Sequence, residues 1–356
     1  CATFVGLQRK FMLSHDMGFD REELITANLN RTVAKSAEAL GSKLREDPQI
    51  KDISWADGDL VQPSRMGWGR MYKGEQISFQ CYPVAWNFLQ FMGIPVVEGR
   101  DFTQADEQSE NGVFIFNEAA KNKFGFTLEE KMPGHMDEGD AEVAGFCRDF
   151  NFTSLKNEVS PLALYIFGKH PWRPLTTLLV RTEKNADIPA IMKRIAAAVS
   201  EIDPTVNPDD VDVQLFDKKL QGQYEKEANF SRLITLFTLL AIIISLMGVF
   251  GLVMFETEYR RKEIGVRRVN GATIGEILKM FNVEFARIVL ICFVIATPLS
   301  WWIVNRYLSG FAYRVPIHIW VFALALVAVL LITAIVVTGR CYRAATENPS
   351  VTLKKE

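Results

Sequence analysis

Seven basic residues, Arg260, Arg261, Lys262, Arg267, Arg268, Lys279 and Arg287, fall within residues 256–287, ETEYRRKEIGVRRVNGATIGEILKMFNVEFAR. The densely charged part, 256–268, suits a short solvated helix lying against a membrane surface or a protein partner. The alternative is a basic loop whose only task is to hold one side of a membrane. Gly265 in the middle of a helix costs about 1 kcal/mol relative to Ala, which implies close approach by another group. Asn270-Gly271 is a helix stop, and Thr273 with Glu276 has the spacing of a capping box opening a new helix that carries Ile277, Leu278, Phe281 and Phe285. The segment therefore reads as helix, tight turn, helix.

Other chemistry is missing from the pattern. No glycine-rich loop ends in Gly-Lys-Ser/Thr, so ATP is not bound in that way by this chain. His15, His135, His170 and His318 are scattered and show no metal-ligand spacing. The acids near 203–212 lack the spacing of a calcium loop and read as a solvated turn. No Gly-x-Ser-x-Gly elbow occurs. No catalytic residue, cofactor site or metal site is assigned. The net charge is −2, which gives no reason to expect a nucleic-acid partner.

The elements around the basic segment are apolar. Residues 233–255 carry no charge and are long enough to cross a bilayer. Within them Ser245, Gly248 and Gly251 recur every third residue, a small-residue face for close helix packing in lipid. Residues 288–305 are a second span, which Pro298 should kink, and 319–338 are a third. None of the three contains an ionisable residue, which argues against an ion-coupled carrier. The tail carries Arg340, Arg343, Lys354 and Lys355, whereas the short loop 306–316 has two Arg. The basic count puts 256–287 and the tail in the cytoplasm, and 306–316 and everything before 233 outside.

Residues 11–230 read as a soluble α+β domain in which strands and helices interleave irregularly. Residues 30–47 and 84–92 are expected as helices, and 189–202 as the best amphipathic one, with Ile191, Ile195 and Val199 on its stripe. Cys81 and Cys147 could pair if the domain lies in an oxidising compartment, though no spacing motif requires it. The chain begins CATFVGLQRK. Its first ten residues read as the remnant of a preceding membrane helix, with a lipidated Cys1 as the alternative.

RRKEIGVRRVNGA at 260–272 resembles the signature loop of FtsX/MacB-like ABC-transporter permeases, and it stands where that family has it, after the first of three C-terminal spans. The tail ENPSVTLKKE resembles the family's ending. FLQFMGIPVVEGRDF (88–102), VFIFNEAAKNKFGF (113–126) and EVAGFCRDFNFTSLKNEVSPLALY (142–165) resemble its periplasmic core domain, in forms most like those of Bacteroidota. The resemblance implies an inner-membrane protein with residues 11–230 periplasmic and an FtsX-like permease domain over 231–356. The family's first span would be missing, so the sequence looks like a C-terminal module. Glu258, Arg260, Arg261, Lys262, Glu263, Ile264, Gly265, Val266, Arg267, Arg268, Asn270, Gly271 and Ala272 would form a coupling helix on a partner ATP-binding subunit. Glu263 would pair either with that ATPase or locally with Arg267, a contact of a few tenths of a kcal/mol.

The function so implied is mechanotransmission. A partner ATPase would drive the periplasmic domain to export or extract a peptide, drug or lipoprotein, with a second permease module completing a homodimer or pseudo-dimer. A periplasmic adaptor and an outer-membrane channel stay open. The alternative is a regulatory scaffold that activates a periplasmic cell-wall hydrolase. A membrane-anchored enzyme would need a catalytic constellation that the residues do not supply.

Overall fold

A computed structural model describes residues 2–59, 62–63, 67–135, 139–152 and 155–346. The ending ENPSVTLKKE at 347–356, with Lys354 and Lys355, lies outside the described residues, as do Cys1, Thr153 and Ser154. The chain divides into two units: Met12–Glu225 with Phe311–Tyr313, and Cys1–Phe11 with Lys226–Gly310 and Arg314–Glu356.

The first unit is mixed α/β and has two lobes. In chain order its strands are β1 (Leu24–Asn28), β2 (Ile50–Ala56), β3 (Gly58–Asp59), β4 (Gln62–Pro63), β5 (Gly67–Tyr72), β6 (Glu75–Pro83), β7 (Val96–Gly99), β8 (Val113–Asn117), β9 (Lys131–Pro133), β10 (Asp140–Cys147), β11 (Leu162–Ile166), β12 (Thr177–Thr182) and β13 (Val213–Leu215). One sheet runs β13-β1-β12-β2, all antiparallel. Together with α3 (Ala37–Arg45) and α6 (Ile188–Ile202) it makes a split β-α-β pair. Leu40 and Leu44 of α3 and Ile191, Ile195 and Val199 of α6 bury against Ile25, Ile53, Leu178 and Val180. Asp187 caps α6 by accepting from Ala190 N, and a proline stands in the first turn, where its missing N–H costs nothing.

The second lobe is inserted between β2 and β12. Its sheet runs β5-β6-β11-β8-β10-β7, with β9 on β10. The pairings are mixed: β11 is parallel to β6 and β10 to β8, the others antiparallel. Aromatic rings fill its core, with Trp68, Phe79, Phe114, Phe116, Phe126, Phe146 and Tyr165 among the buried residues. Gly112 closes the approach to β8 with φ +82°, and a Cβ there would lie 2.2 Å from the Tyr165 hydroxyl. The site requires glycine both for its backbone conformation and for space.

Two sequence expectations need correction. The helix over 30–47 breaks at Ser36 into α2 (Arg31–Lys35) and α3, because Ser36 has φ −105° and ψ 27° and its N–H turns back to Val33 O. The helix over 84–92 shrinks to α4 (Phe88–Met92). Val84 N and Ala85 N are spent on Tyr165 O and Trp55 O, which continues the sheet edge where a helix was expected. The acids after α6 form the expected turn, largely exposed: Asp203 accepts from Thr205 and from the Asn30 side chain, and Pro208–Asp210 is a 3-10 turn. Cys81 and Cys147 are both buried and unbridged.

The second unit is helical. The described helices α8 (Glu225–Tyr259), α10 (Ile274–Leu308) and α11 (Ile319–Thr346) contain three segments long and apolar enough to cross a membrane: Ala228–Tyr259, Ile274–Leu308 and Ile319–Tyr342. α10 and α11 are joined by the loop that follows Leu308 and pack side by side, and the Asn282 side chain donates to Thr338 Oγ1 between them. At the end of α10 and the start of α11, Val304, Leu308 and Val321 form a buried cluster with Phe4 of α1 (Ala2–Ser14). Gln8 of α1 accepts from Val315 N, satisfying a backbone donor just before α11 begins. α9 (Arg261–Val269) completes the described helices of this unit, while α5 (Glu118–Phe124) and α7 (Phe216–Gln223) belong to the first.

Candidate functional site: the basic helix between two spans

α9 exists because the chain is stopped on both sides of it. α8 ends at Tyr259, and Arg260 leaves helical geometry at φ −91°, ψ 13°. After Val269, Asn270 caps the helix, Gly271 takes φ +92° and Ala272 N bonds Arg267 O. Only a residue without Cβ adopts that φ cheaply, so the turn rests on Gly271. Thr273 then opens α10 with the complete capping box. Its side chain accepts from Glu276 N, and Glu276 accepts from Thr273 N.

The coupling residues named from the sequence thus divide. Arg261, Lys262, Glu263, Ile264, Gly265, Val266, Arg267 and Arg268 stand on α9, Glu258 belongs to the end of α8, Arg260 is the residue before α9, and Asn270, Gly271 and Ala272 are turn. Ile264 and Gly265 are the buried residues of α9. Ile264 joins a cluster of Val253 from α8, Ile277, Phe281 and Phe285 from α10 and Val337 and Cys341 from α11. α9 packs on α11. The opposite face is open: Val266 is 50% and Val269 66% exposed, with Lys262 exposed beside them.

The charges are largely satisfied among themselves. Arg260 bonds Glu256 (2.5 Å) and Glu284 (3.0 Å), so it ties the end of α8 to α10. Arg261 bonds Glu258 at 3.1 Å, and Arg267 bonds Glu263 at 2.7 Å. Glu263 therefore makes the local i,i+4 pair. Arg268 donates to Ala272 O, and the second Arg267 nitrogen reaches the Met280 sulfur. Among the described residues no group of His, Cys, Asp and Glu could hold a metal ion.

The small-residue face lies apart from this site. Ser245, Gly248 and Gly251 are all exposed, and nothing stands within 4 Å of a Cβ built on either glycine. Among the described residues the close helix contact expected there is not made within this chain. Pro298 lies inside α10 and is exposed. The exposed valines of α9 were missed by the sequence reading, although their positions, one residue before and after the Arg267-Arg268 pair, show that basic and apolar groups alternate on that surface.

Residues 235–349 match the family FtsX-like permease C-terminal. Over 249 residues the chain is 24% identical to the macrolide export ATP-binding/permease protein MacB of Sodalis glossinidius (strain morsitans), a match covering 66% of this chain and 36% of that protein. The chain thus spans little more than a third of that relative's length. Among solved structures, the periplasmic region of MacB from Actinobacillus actinomycetemcomitans superposes with a TM-score of 0.42 at 11% identity, covering 60% of this chain and 97% of the other. The extracellular domain of the noncanonic ABC-type transporter YknZ from Gram-positive bacteria gives 0.40 at 14% identity, covering 54% and 98%. A mixed α/β domain is followed by three helices able to span a membrane, and the match to the FtsX-like permease C-terminal family lies over this helical region, with the basic helix between the first two spans.

Proposed function

We propose that this chain is the membrane subunit of an ABC transporter, and that α9 is the element on which a partner ATPase acts. The observation that carries the reading is the two-sidedness of α9: Ile264 and Gly265 are locked into the membrane helices, while Val266 and Val269 are held out beside cations. Exposed valines on a charged helix suit a protein partner better than water. Movement of α9 would be passed to α8, α10 and α11 through the Val253, Phe281 and Val337 cluster. The extracytoplasmic domain at 11–230 would then act on a substrate already outside the membrane, a peptide, a drug or a lipoprotein. The domain division in this reading is 1–10, 11–230 and 231–356. A second permease module would cover the open Ser245, Gly248 and Gly251 face.

The test is copurification from native membranes. The full-length protein should bring down an ATP-binding-cassette subunit, and Val266→Asp with Val269→Asp should lose it. These two side chains are exposed, so the variant should remain folded and membrane-inserted. Equal recovery of the ATPase with the variant would refute the coupling role.

A further inference from the structure

α11 carries a cation, Arg340, that the coupling site does not use. Arg340 stands 21 residues after Ile319, about 32 Å along the helix, close to the thickness of a bilayer's hydrocarbon core. It is the first charged residue after the apolar run 319–338. Its guanidinium does not run out along the helix toward water. It lies over the ring of Phe250 in α8, 4.2 Å from the centroid. Its Nε is shut off from solvent and has no hydrogen-bond partner.

Among the described residues on this side of the membrane, no acid is left for it. Glu256 and Glu284 hold Arg260, Glu258 holds Arg261, Glu263 holds Arg267, and Glu276 is spent on the Thr273 cap. Those are all five carboxylates of residues 256–287, and the apolar stretches 233–255, 288–305 and 319–338 have none. A cation at the membrane boundary with a desolvated donor and no acid among the described residues to pair with draws an anion from its surroundings. At that depth, on the side of the membrane where α9 lies, the available anion is a phospholipid phosphate. Phe250 is 41% exposed, which leaves room for an acyl chain beside the ring that carries the guanidinium.

We propose that Arg340, seated on Phe250, binds the phosphate of an anionic phospholipid in the leaflet that faces α9. The planar guanidinium does two things at once: one face stacks on the ring while the terminal nitrogens meet the phosphate. The proposal rests on the membrane assignment and is independent of the ATPase reading. Lipid binding would persist in the Val266→Asp, Val269→Asp variant.

The test is native mass spectrometry of the full chain in a neutral detergent, titrated with phosphatidylglycerol and, separately, phosphatidylcholine. Wild type should prefer phosphatidylglycerol, and Arg340→Gln should reduce that preference about fivefold. Arg340→Lys keeps the charge and loses the planar stack, and Phe250→Ala removes the seat; each should lose part of the preference. An unchanged preference in folded Arg340→Gln overturns the proposal. If that variant fails to fold, unchanged preference in both Arg340→Lys and Phe250→Ala overturns it. Displacement of the bound lipid by millimolar inorganic phosphate would assign the site to a free anion and overturn the lipid.

Discussion

Arg181 is the residue whose loss should most damage the extracytoplasmic domain. It extends from β12, and its side chain is 9% exposed. Nη1 donates to Glu22 O at 2.7 Å, and Nη2 donates to Asp20 O and Phe91 O, each at 3.0 Å. The guanidinium also lies 5.1 Å from the Phe91 ring centroid. One side chain therefore joins the sheet of the first lobe to the segment before β1 and to the end of α4. The ion pair with Asp20, itself half exposed, contributes little. The carbonyl bonds matter more, because Arg181→Met leaves three backbone acceptors facing an apolar chain. At about 1–3 kcal/mol for each buried group left without a partner, and allowing that water reaches some of them, the loss should be roughly 3–5 kcal/mol. Arg181→Lys should fall between, since an ammonium cannot reach three fixed carbonyls in one plane. The assay is hydrogen exchange of the full chain in detergent, read at the amides of β1 and α4. Arg21→Met is the control. It bonds one carbonyl, Leu13 O, at 3.0 Å, and its contact with Asp217 is long at 3.7 Å, so its loss should cost about 1 kcal/mol. If Arg181→Met protects those amides as well as Arg21→Met does, the carbonyl clamp does not hold the lobe together.

Two further outcomes are expected. Burial works against the charge of Asp106, but the two-pronged bond from Arg100 and the donors of Thr103 outweigh it and hold the carboxyl below its usual range. Its contribution should be complete above the ordinary carboxylate range and lost as pH falls through the lowered value, so the Tm gap between wild type and Asp106→Asn should narrow on acidification; a gap that holds or widens would sink this. Burial also pushes the Cys81 and Cys147 thiols up. Maleimide should leave both untouched at neutral pH and label both after denaturation, whereas a mass two hydrogens short would show a bridge.

The helix–turn–helix of the basic segment was legible because its signals are local. Asn270-Gly271 and the Thr273–Glu276 pair act within one turn of chain, and each forms in the structure as its spacing demands. The three long apolar helices were legible for a similar reason, since length and lack of charge decide them. The two-lobed order was not. β1 pairs with β12, about 150 residues later, and no periodicity records such a partner. The false helix at 84–87 fails in the same way: its backbone donors are taken by Trp55 and Tyr165, far away in sequence. The outer limits of α9 needed the cap geometry at Arg260 and Asn270, which residue types alone do not set. The fate of Ser245, Gly248 and Gly251 was also beyond the pattern, because a small-residue face says that something fits there and leaves open what does.

The nesting of one lobe inside the other also orders the assembly of the domain in time. Ala56 at the end of β2 sits opposite Thr177 at the start of β12, so the chain leaves and re-enters the first lobe at neighbouring points. Closing that pair across an unfolded stretch of about 120 residues would cost roughly 3 kcal/mol more than closing a five-residue turn. Once the aromatic lobe has folded, its two ends already lie together and most of that cost is gone. The lobe made later in the chain should therefore fold first and template the one that surrounds it, with β12 the last central strand to be seated.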